Sequence, residues 1–189
     1  MKEQTDFPLP PNLPRPVDDG AAAQLPGKEM PSVSLPSTRG RLVNLATLPA
    51  PRTVIYVYPM TGVPGQPLPA GWDEIPGARG CTPQTCSFRD SYREFGGSDI
   101  EIFGLSTQTT DYQREMANRL DLPFEVLSDW KYEFCDALRL PTFDVNGTRL
   151  LKRLTLLVRD RRVEHVFYPV FPPNENAAEV LQWLRNNPG

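Results

Sequence analysis

The chain has 189 residues, a formal net charge of −3 and a hydrophobic content of 39%, which suits one domain with a sizeable core. Twenty lysines and arginines stand against 23 aspartates and glutamates, and the basic residues are scattered, which argues against a nucleic-acid-binding protein. No apolar run approaches the roughly 18 residues needed to span a membrane. These properties predict a single-domain protein that binds neither nucleic acid nor a membrane.

The first residues and the cysteine content bear on the compartment. Residues 1–6 lack the apolar core of a secretory signal, so we expect a cytoplasmic protein. Three cysteines are too few for a disulfide scaffold. In a reducing compartment, a close cysteine pair is more often catalytic than structural.

Residues 1–36 contain eight prolines and show little periodicity. Proline lacks a backbone donor and blocks helices. We therefore expect an extended N-terminal arm over residues 1–36, ordered only where it packs, followed by one domain over residues 37–189.

The remainder of the chain alternates between strand-like and helix-like patterns. The predicted strands cover residues 42–48, 53–58, 99–105, 150–158 and 163–168, with a shorter extended piece at 123–127. The predicted helices cover residues 82–95, 110–120, 132–138 and 175–184, and a long loop covers 61–79. We expect a turn at Pro141–Phe143 and a hairpin through 159–162. This order predicts an α/β fold with a mixed central sheet and helices on both faces.

Cys81 lies at the boundary between the long loop and a predicted helix, and Cys86 follows five positions later. Backbone N–H groups at a helix start favour an anion, and a thiolate is such an anion. Pro83 suits a first helical turn. The alternative is that both cysteines are small buried apolar residues on one helix.

The segments around these cysteines resemble a known family. They are Tyr58-Pro59, Gly80-Cys81-Thr82 and Cys86-Ser87-Phe88-Arg89-Asp90. They look like the active-site region of peroxiredoxins, specifically the peroxiredoxin Q (bacterioferritin-comigratory) branch. The likeness continues through residues 103–106, 122–124 and 152–157, and it covers most of residues 30–187. It implies a thioredoxin-like fold.

The resemblance also implies roles for individual residues. Cys81 would be the peroxidatic cysteine, Cys86 the intramolecular resolving cysteine, and Arg153 the cation over the sulfur, with Pro59 in the same site. The implied activity is a thiol-dependent peroxidase that reduces hydrogen peroxide and organic hydroperoxides, recycled by thioredoxin or a glutaredoxin-type reductant. No metal, flavin or haem is implied, and relatives in this branch are often monomers, so we expect a monomer or weak dimer.

Arg153 belongs to a largely apolar segment, and an arginine that enters a buried strand needs a partner, which a thiolate or peroxide would supply. The alternative is a solvated charge at a strand edge, a role for which Arg149, Lys152 and Arg159 are better candidates.

The sequence departs from the family pattern before Cys81. The family has Thr or Ser three residues before the peroxidatic cysteine, whereas this chain has Ala78, and Pro59 is followed by an inserted loop. Thr61 and Thr82 are the candidates to replace the missing hydroxyl.

Two other functions remain open from the sequence. One is a redox sensor or adaptor with this fold and slow turnover, which the missing hydroxyl favours. The other is a zinc-binding interaction module that uses Cys81, Cys86, Cys135 and His165, although these spacings do not match structural zinc sites. For Cys135 alone we expect core packing, and for His165, the single histidine, a solvated or packed position.

Overall fold

The computed structural model describes residues 8–96 and 100–188. Its centre is a five-stranded mixed sheet of strand order β5-β4-β3-β8-β9. These strands are β3 (Arg52–Val57), β4 (Ile100–Ser106), β5 (Glu125–Ser128), β8 (Leu154–Arg159) and β9 (Arg162–Phe167). Strand β3 is parallel to β4 and antiparallel to β8. The remaining strands form two small antiparallel sheets, β1 (Ser34–Pro36) with β2 (Leu42–Asn44) and β6 (Thr142–Val145) with β7 (Thr148–Leu151).

Five α-helices surround the sheet in the described part of the chain. They are α1 (Cys81–Asp90), α2 (Tyr92–Gly96), α3 (Thr110–Arg119), α4 (Glu133–Leu138) and α5 (Asn176–Asn186), with 3₁₀ turns at Trp72–Glu74 and Pro173–Glu175. Thr109 precedes α3 in an extended conformation, as expected of its N-cap. Within residues 8–96 and 100–188, no helix has the length and apolar character needed to cross a membrane.

All six residues of β3 are buried because the sheet is covered on both faces. Ile55 and Val57 point into one apolar cluster, which includes Phe134 and Leu138 of α4. Val54 and Tyr56 point into a second cluster with residues of α1, α3 and α5. The predicted α/β class, with a mixed sheet and helices on both faces, is therefore confirmed.

The N-terminal arm contributes to the core. Leu25, Met30 and Leu35 are at most 3% exposed and belong to the cluster that also contains Ile55. This packing agrees with an arm that is ordered where it touches the domain. The division at residue 36 stays a prediction, and residues 1–7 of the arm lie outside the described residues.

Four predicted elements differ from the structure. The strand predicted over 42–48 is wrong beyond Asn44, because the chain turns over residues 45–47. The turn at Pro141–Phe143 and the continuous strand over 150–158 were wrong, because β6 and β7 form a hairpin and β8 begins only at Leu154. The turn of this hairpin is Asn146-Gly147, with φ of 51° and 79°, and Asn-Gly is a strong hairpin signal. The predicted helix over 82–95 is broken at Ser91 into α1 and α2. The predicted strand start at Asp99 lies outside the described residues.

Candidate active site

A cavity of about 430 Å³ lies beside the start of α1. The lining of this cavity includes the polar residues Cys81, Thr61, Thr82 and Arg119 and the apolar residues Leu9, Met60, Leu68 and Trp72. The loop over residues 61–79 forms much of the wall. It is held in place because Trp72 and Ala78 pack against Val145 and Leu150 of the β6–β7 hairpin.

Cys81 is the first residue of α1 and is 4% exposed. The preceding Gly80 has a φ of 104°, a conformation that side-chain-bearing residues rarely adopt. A Cβ at this position would also lie 2.3 Å from Cγ of Pro173. Glycine therefore allows the chain to turn sharply into α1, and Cys81 is the first residue of this helix, whose N-terminus carries a partial positive charge.

Arg153 faces the sulfur from the segment between β7 and β8. It is 3% exposed, and its Nη2 lies 3.2 Å from Sγ of Cys81. The same nitrogen donates to the carbonyls of Ala78 at 3.0 Å and Arg79 at 3.1 Å. In the described part of the chain, the hydrogen-bond partners of Arg153 are neutral groups and Cys81, and none is a carboxylate. A buried guanidinium without an anion is unfavourable, so this arrangement favours a negative charge on the sulfur.

A buried polar network holds Arg153 in place. Its Nη1 donates to Oε1 of Gln84, and Nε2 of Gln84 donates to Oδ1 of Asn176 at 3.0 Å. The hydroxyl of Thr155 donates to the same oxygen at 2.7 Å. Gln84, Thr155 and Asn176 are each 0% exposed. The network thus ties the arginine to α1, β8 and the first residue of α5.

Cys86 also belongs to α1 and is 8% exposed. Burial raises the pKa of its thiol above the ordinary value, with Arg89 opposing this shift. Because the pKa is raised, Cys86 stays a neutral thiol at neutral pH. The three cysteines of the chain are free thiols in this structure.

The candidate hydroxyl residues lie in different settings. Thr61 is 1% exposed and lines the cavity. Its hydroxyl donates to Oε1 of Gln108 at 3.2 Å, and its carbonyl accepts from Tyr112 at 2.9 Å. Thr82, in the first turn of α1, is half-buried and lines the same cavity. Ala78 offers its carbonyl, which lies 3.5 Å from Sγ of Cys81.

Pro59 is buried just after β3. It is not among the described residues that line the cavity, whereas the next residue, Met60, is. Pro59 is therefore adjacent to the site in the chain without lining the cavity. Tyr58, its predecessor, continues the sheet pattern with a backbone hydrogen bond to Leu105 at 3.1 Å.

The three residues expected as solvated charges at a strand edge lie away from Cys81. Nη2 of Arg149 lies 2.8 Å from Asp136 and 3.4 Å from Sγ of Cys135. Lys152 pairs with Asp19 at 2.6 Å. Arg159 lies at the far end of β8 from Arg153. In the described residues, Arg153 is thus the cation in contact with Cys81.

Cys135 packs in the core, as expected. It is 0% exposed and belongs to the cluster on the opposite face of the sheet from Cys81. Burial raises the pKa of its thiol to about 11. His165 is half-buried and stacks on Trp183 with ring centroids 4.7 Å apart. Over residues 8–96 and 100–188, no three His, Cys, Asp or Glu side chains gather as a metal site would require, so the zinc alternative does not fit this arrangement.

Sequence reasoning missed several residues of the site. Gln84 follows Cys81 by three positions, and helical spacing places such residues on one face. This spacing could have predicted that Gln84 belongs to the site. Arg119, Thr155, Asn176 and Leu9 reach the site from distant segments, and nothing in their local sequence marks them.

Comparison with family models and comparison with known proteins find relatives of the same kind. A family model described as Redoxin matches residues 25–181. Peroxiredoxin Bcp of Escherichia coli (strain K12) is 28% identical over 170 residues, which cover 85% of this chain and 96% of the relative. The chloroplastic peroxiredoxin Q of Oryza sativa subsp. japonica is 29% identical over 160 residues, which cover 85% of this chain. The matched region spans 66% of the length of the rice protein.

Solved structures show the fold. Peroxidoxin BcpB from Mycobacterium tuberculosis superposes with a TM-score of 0.71 at 22% identity and covers 88% of this chain and 99% of its own. A structure of the Xanthomonas campestris bacterioferritin comigratory protein, described for its alkyl peroxide reduction activity, has a TM-score of 0.67 at 20% identity, covering 84% and 96%. The predicted thioredoxin-like fold is thereby confirmed.

Proposed function

The chain belongs to the Redoxin family, and from this premise we propose that it is a thiol-dependent peroxidase in which Cys81 attacks the peroxide. One observation carries the proposal. The sulfur of Cys81 lies at a helix start, beside a large cavity, and 3.2 Å from a buried arginine whose described partners include no carboxylate. This setting supports an anionic sulfur in contact with the space that a small molecule would enter.

The chemistry follows from this geometry. The Cys81 thiolate attacks one oxygen of the peroxide, the O–O bond breaks, and the sulfur becomes a sulfenic acid while the second oxygen leaves as an alkoxide or hydroxide. Negative charge moves from the sulfur to the leaving oxygen. Arg153 and the first N–H groups of α1 stabilise that charge. Such donors lower the energy of a charged transition state most strongly in a site that excludes water.

Thr61 is the better substitute for the missing hydroxyl. Its hydroxyl hydrogen is directed to Gln108 at 3.2 Å, which leaves the oxygen lone pairs to accept a hydrogen bond from the peroxide. Thr82 lies in the first turn of α1, next to Cys81. We therefore assign the positioning of the peroxide to Thr61.

Cys86 is the proposed resolving residue. Its thiol condenses with the sulfenic acid of Cys81 to form a disulfide and release water. Because burial raises its pKa, Cys86 is a poor competitor for the peroxide itself. Thioredoxin or a glutaredoxin-type dithiol would then reduce the disulfide. We propose that the protein works as a cytoplasmic monomer or weak dimer.

Substitution of each cysteine tests the proposal. Cys81→Ser should abolish peroxide reduction, because a serine hydroxyl is scarcely ionised at neutral pH. Cys86→Ser should react once and stop at a sulfenic acid that dimedone traps. Cys135→Ser is the matched control on the other face of the sheet and should turn over normally. Normal turnover by Cys81→Ser would overturn the assignment.

A redox sensor is the second candidate, and Ala78 in place of the usual hydroxyl is the observation that favours it. A sensor would form the Cys81–Cys86 disulfide without rapid recycling. Steady-state peroxide consumption with thioredoxin and its reductase separates the two functions, because continuous turnover belongs to the enzyme only.

A further inference from the structure

The N-terminal arm reaches the cavity beside Cys81. Pro8 and Leu9 belong to its lining, together with residues of the 61–79 loop. Cδ2 of Leu9 lies 3.0 Å from the position that a Cβ of Gly80 would occupy. Leu9 therefore packs directly against the residue that precedes Cys81.

Several contacts hold the arm along this face. Asp19 accepts from Lys152 at 2.6 Å and from the Tyr168 hydroxyl at 2.7 Å. Arg15 lies over the ring of Phe171, 5.3 Å from its centroid. Pro16 packs on Gly77, in the loop before Cys81. The arm is thus anchored at Asp19 and packs at several points before it reaches Leu9.

The cavity is far larger than hydrogen peroxide requires. Its volume of about 430 Å³ lies in the range of about 300–1,000 Å³ that is typical of pockets for organic ligands. Leu9 forms its apolar wall together with Met60, Val63, Leu68 and Trp72. An apolar body attached to the peroxide would contact this wall, whereas hydrogen peroxide has no atoms to place there.

We infer that the N-terminal arm, through Leu9, is a specificity element that selects hydroperoxides with an apolar body over hydrogen peroxide. The inference rests on the proposed function and adds a role for a segment distant in sequence from Cys81. Contacts with the part of a substrate that does not react raise the rate when they are kept in the transition state. Loss of the Leu9 side chain should therefore slow the reaction of bulky hydroperoxides alone.

The test compares single-turnover oxidation of the reduced protein by cumene hydroperoxide and by hydrogen peroxide, so that recycling does not contribute. Leu9→Ala should lower the second-order rate constant for cumene hydroperoxide about tenfold or more, because one missing methylene in an apolar pocket changes a rate constant by roughly 10–200-fold. Deletion of residues 1–10 should lower this rate constant at least as much as Leu9→Ala does. Leu9→Met should give a rate constant close to that of the unchanged protein. The rate constant for hydrogen peroxide should stay within about twofold in every variant.

Val17→Ala is the matched control, because Val17 is an apolar arm residue that is 82% exposed and lies outside the lining of this cavity. It should leave both rate constants unchanged. A second measurement avoids the reaction altogether. Binding of 2-phenyl-2-propanol, the alcohol formed from cumene hydroperoxide, to the Cys81→Ser protein is followed by the change in tryptophan fluorescence, to which Trp72 in the cavity wall contributes. Leu9→Ala should weaken this binding by about the same factor as the rate constant.

The possible failures are distinguishable. If both peroxides oxidise Cys81 and the Leu9 variants leave the ratio of rate constants and the alcohol affinity unchanged, the arm inference is overturned and the peroxidase function stands. An equal loss with both peroxides also overturns it, since that pattern reports a disturbed Cys81. If neither peroxide oxidises Cys81 in the intact chain, the proposed function fails and the inference fails with it.

Discussion

Formation of a Cys81–Cys86 disulfide should unwind the first half of α1. Both cysteines lie in this one helix, Cys81–Asp90. Five residues along a regular helix correspond to a rise of about 7.5 Å and a rotation of about 140° at a radius of about 2.3 Å. Their Cα atoms are then roughly 8.7 Å apart. A disulfide tolerates at most about 7 Å and prefers about 5.5–6 Å, so the helix cannot be oxidised in place.

The unwinding should spread to the polar network. The two Cα atoms must approach by about 2 Å to reach the tolerated limit and by about 3 Å to reach the preferred distance. Gln84 lies between them and holds both Arg153 and Asn176. Movement of this turn therefore removes Gln84 from its partners. Pro83, which has no backbone N–H to lose, lies within the segment that opens.

Amide hydrogen exchange of the reduced and oxidised proteins measures this change. The amide of Gln84, which donates to the carbonyl of Gly80 at 3.0 Å, and the next three amides should lose their protection on oxidation. If the reduced helix opens only with global unfolding, at about 5 kcal/mol or more, the exchange rates should rise about a thousandfold or more. Cys86→Ser treated with the same peroxide is the control, because it cannot form the bridge and should stay protected.

One result would refute this reasoning. Unchanged protection across residues 82–88, in a sample whose Cys81–Cys86 bridge is confirmed by mass spectrometry, would mean that the two cysteines do not share a regular helix in the reduced protein. The pairing of the thiols would survive that result, but the helical placement of one cysteine would not.

Three further predictions concern charge and burial. In stopped-flow assays, Arg153→Met should slow the oxidation of Cys81 by about a hundredfold or more, because the cation that faces the sulfur and the leaving oxygen is lost. Arg149→Met should leave this rate unchanged, and similar losses from both variants would indicate an effect of general charge only. Asn176→Ala should lower the free energy of unfolding in urea by about 1–3 kcal/mol, since Gln84 and Thr155 lose their shared acceptor. An unchanged free energy of unfolding would argue against a stabilising role of the network. Because burial raises the pKa of Cys135 to about 11 from 9.0, its stabilising contribution should be complete below pH 9 and lost as the pH rises through 11; Cys135→Ala should flatten this alkaline decline in denaturation curves, and an identical slope would contradict the assignment.

The local sequence was sufficient for the elements next to Cys81. The run over 53–58 predicted β3 because a strand covered on both faces is apolar at successive positions. Pro83, which follows the long loop, marked the start of α1 because its fixed φ suits a first helical turn. By contrast, the hairpin of β6 and β7 was missed although Asn146-Gly147 indicated it, because the apolar run over 150–158 suggested one strand. The break between β7 and β8 depends on their pairing with different strands.

The sequence by itself determined the α/β class of the fold and the helix that carries Cys81, because these follow from periodicity and turn residues within short segments. Arg153 was expected over the sulfur through the family resemblance, and only the tertiary structure decided the rest of the surroundings of the sulfur. Arg153 lies 72 positions from Cys81, Gln84 lies 92 positions from Asn176, and Leu9 reaches the cavity from the N-terminal arm. Such contacts depend on strand order and on how the connecting segments cross the sheet, and no local pattern of residues records that information.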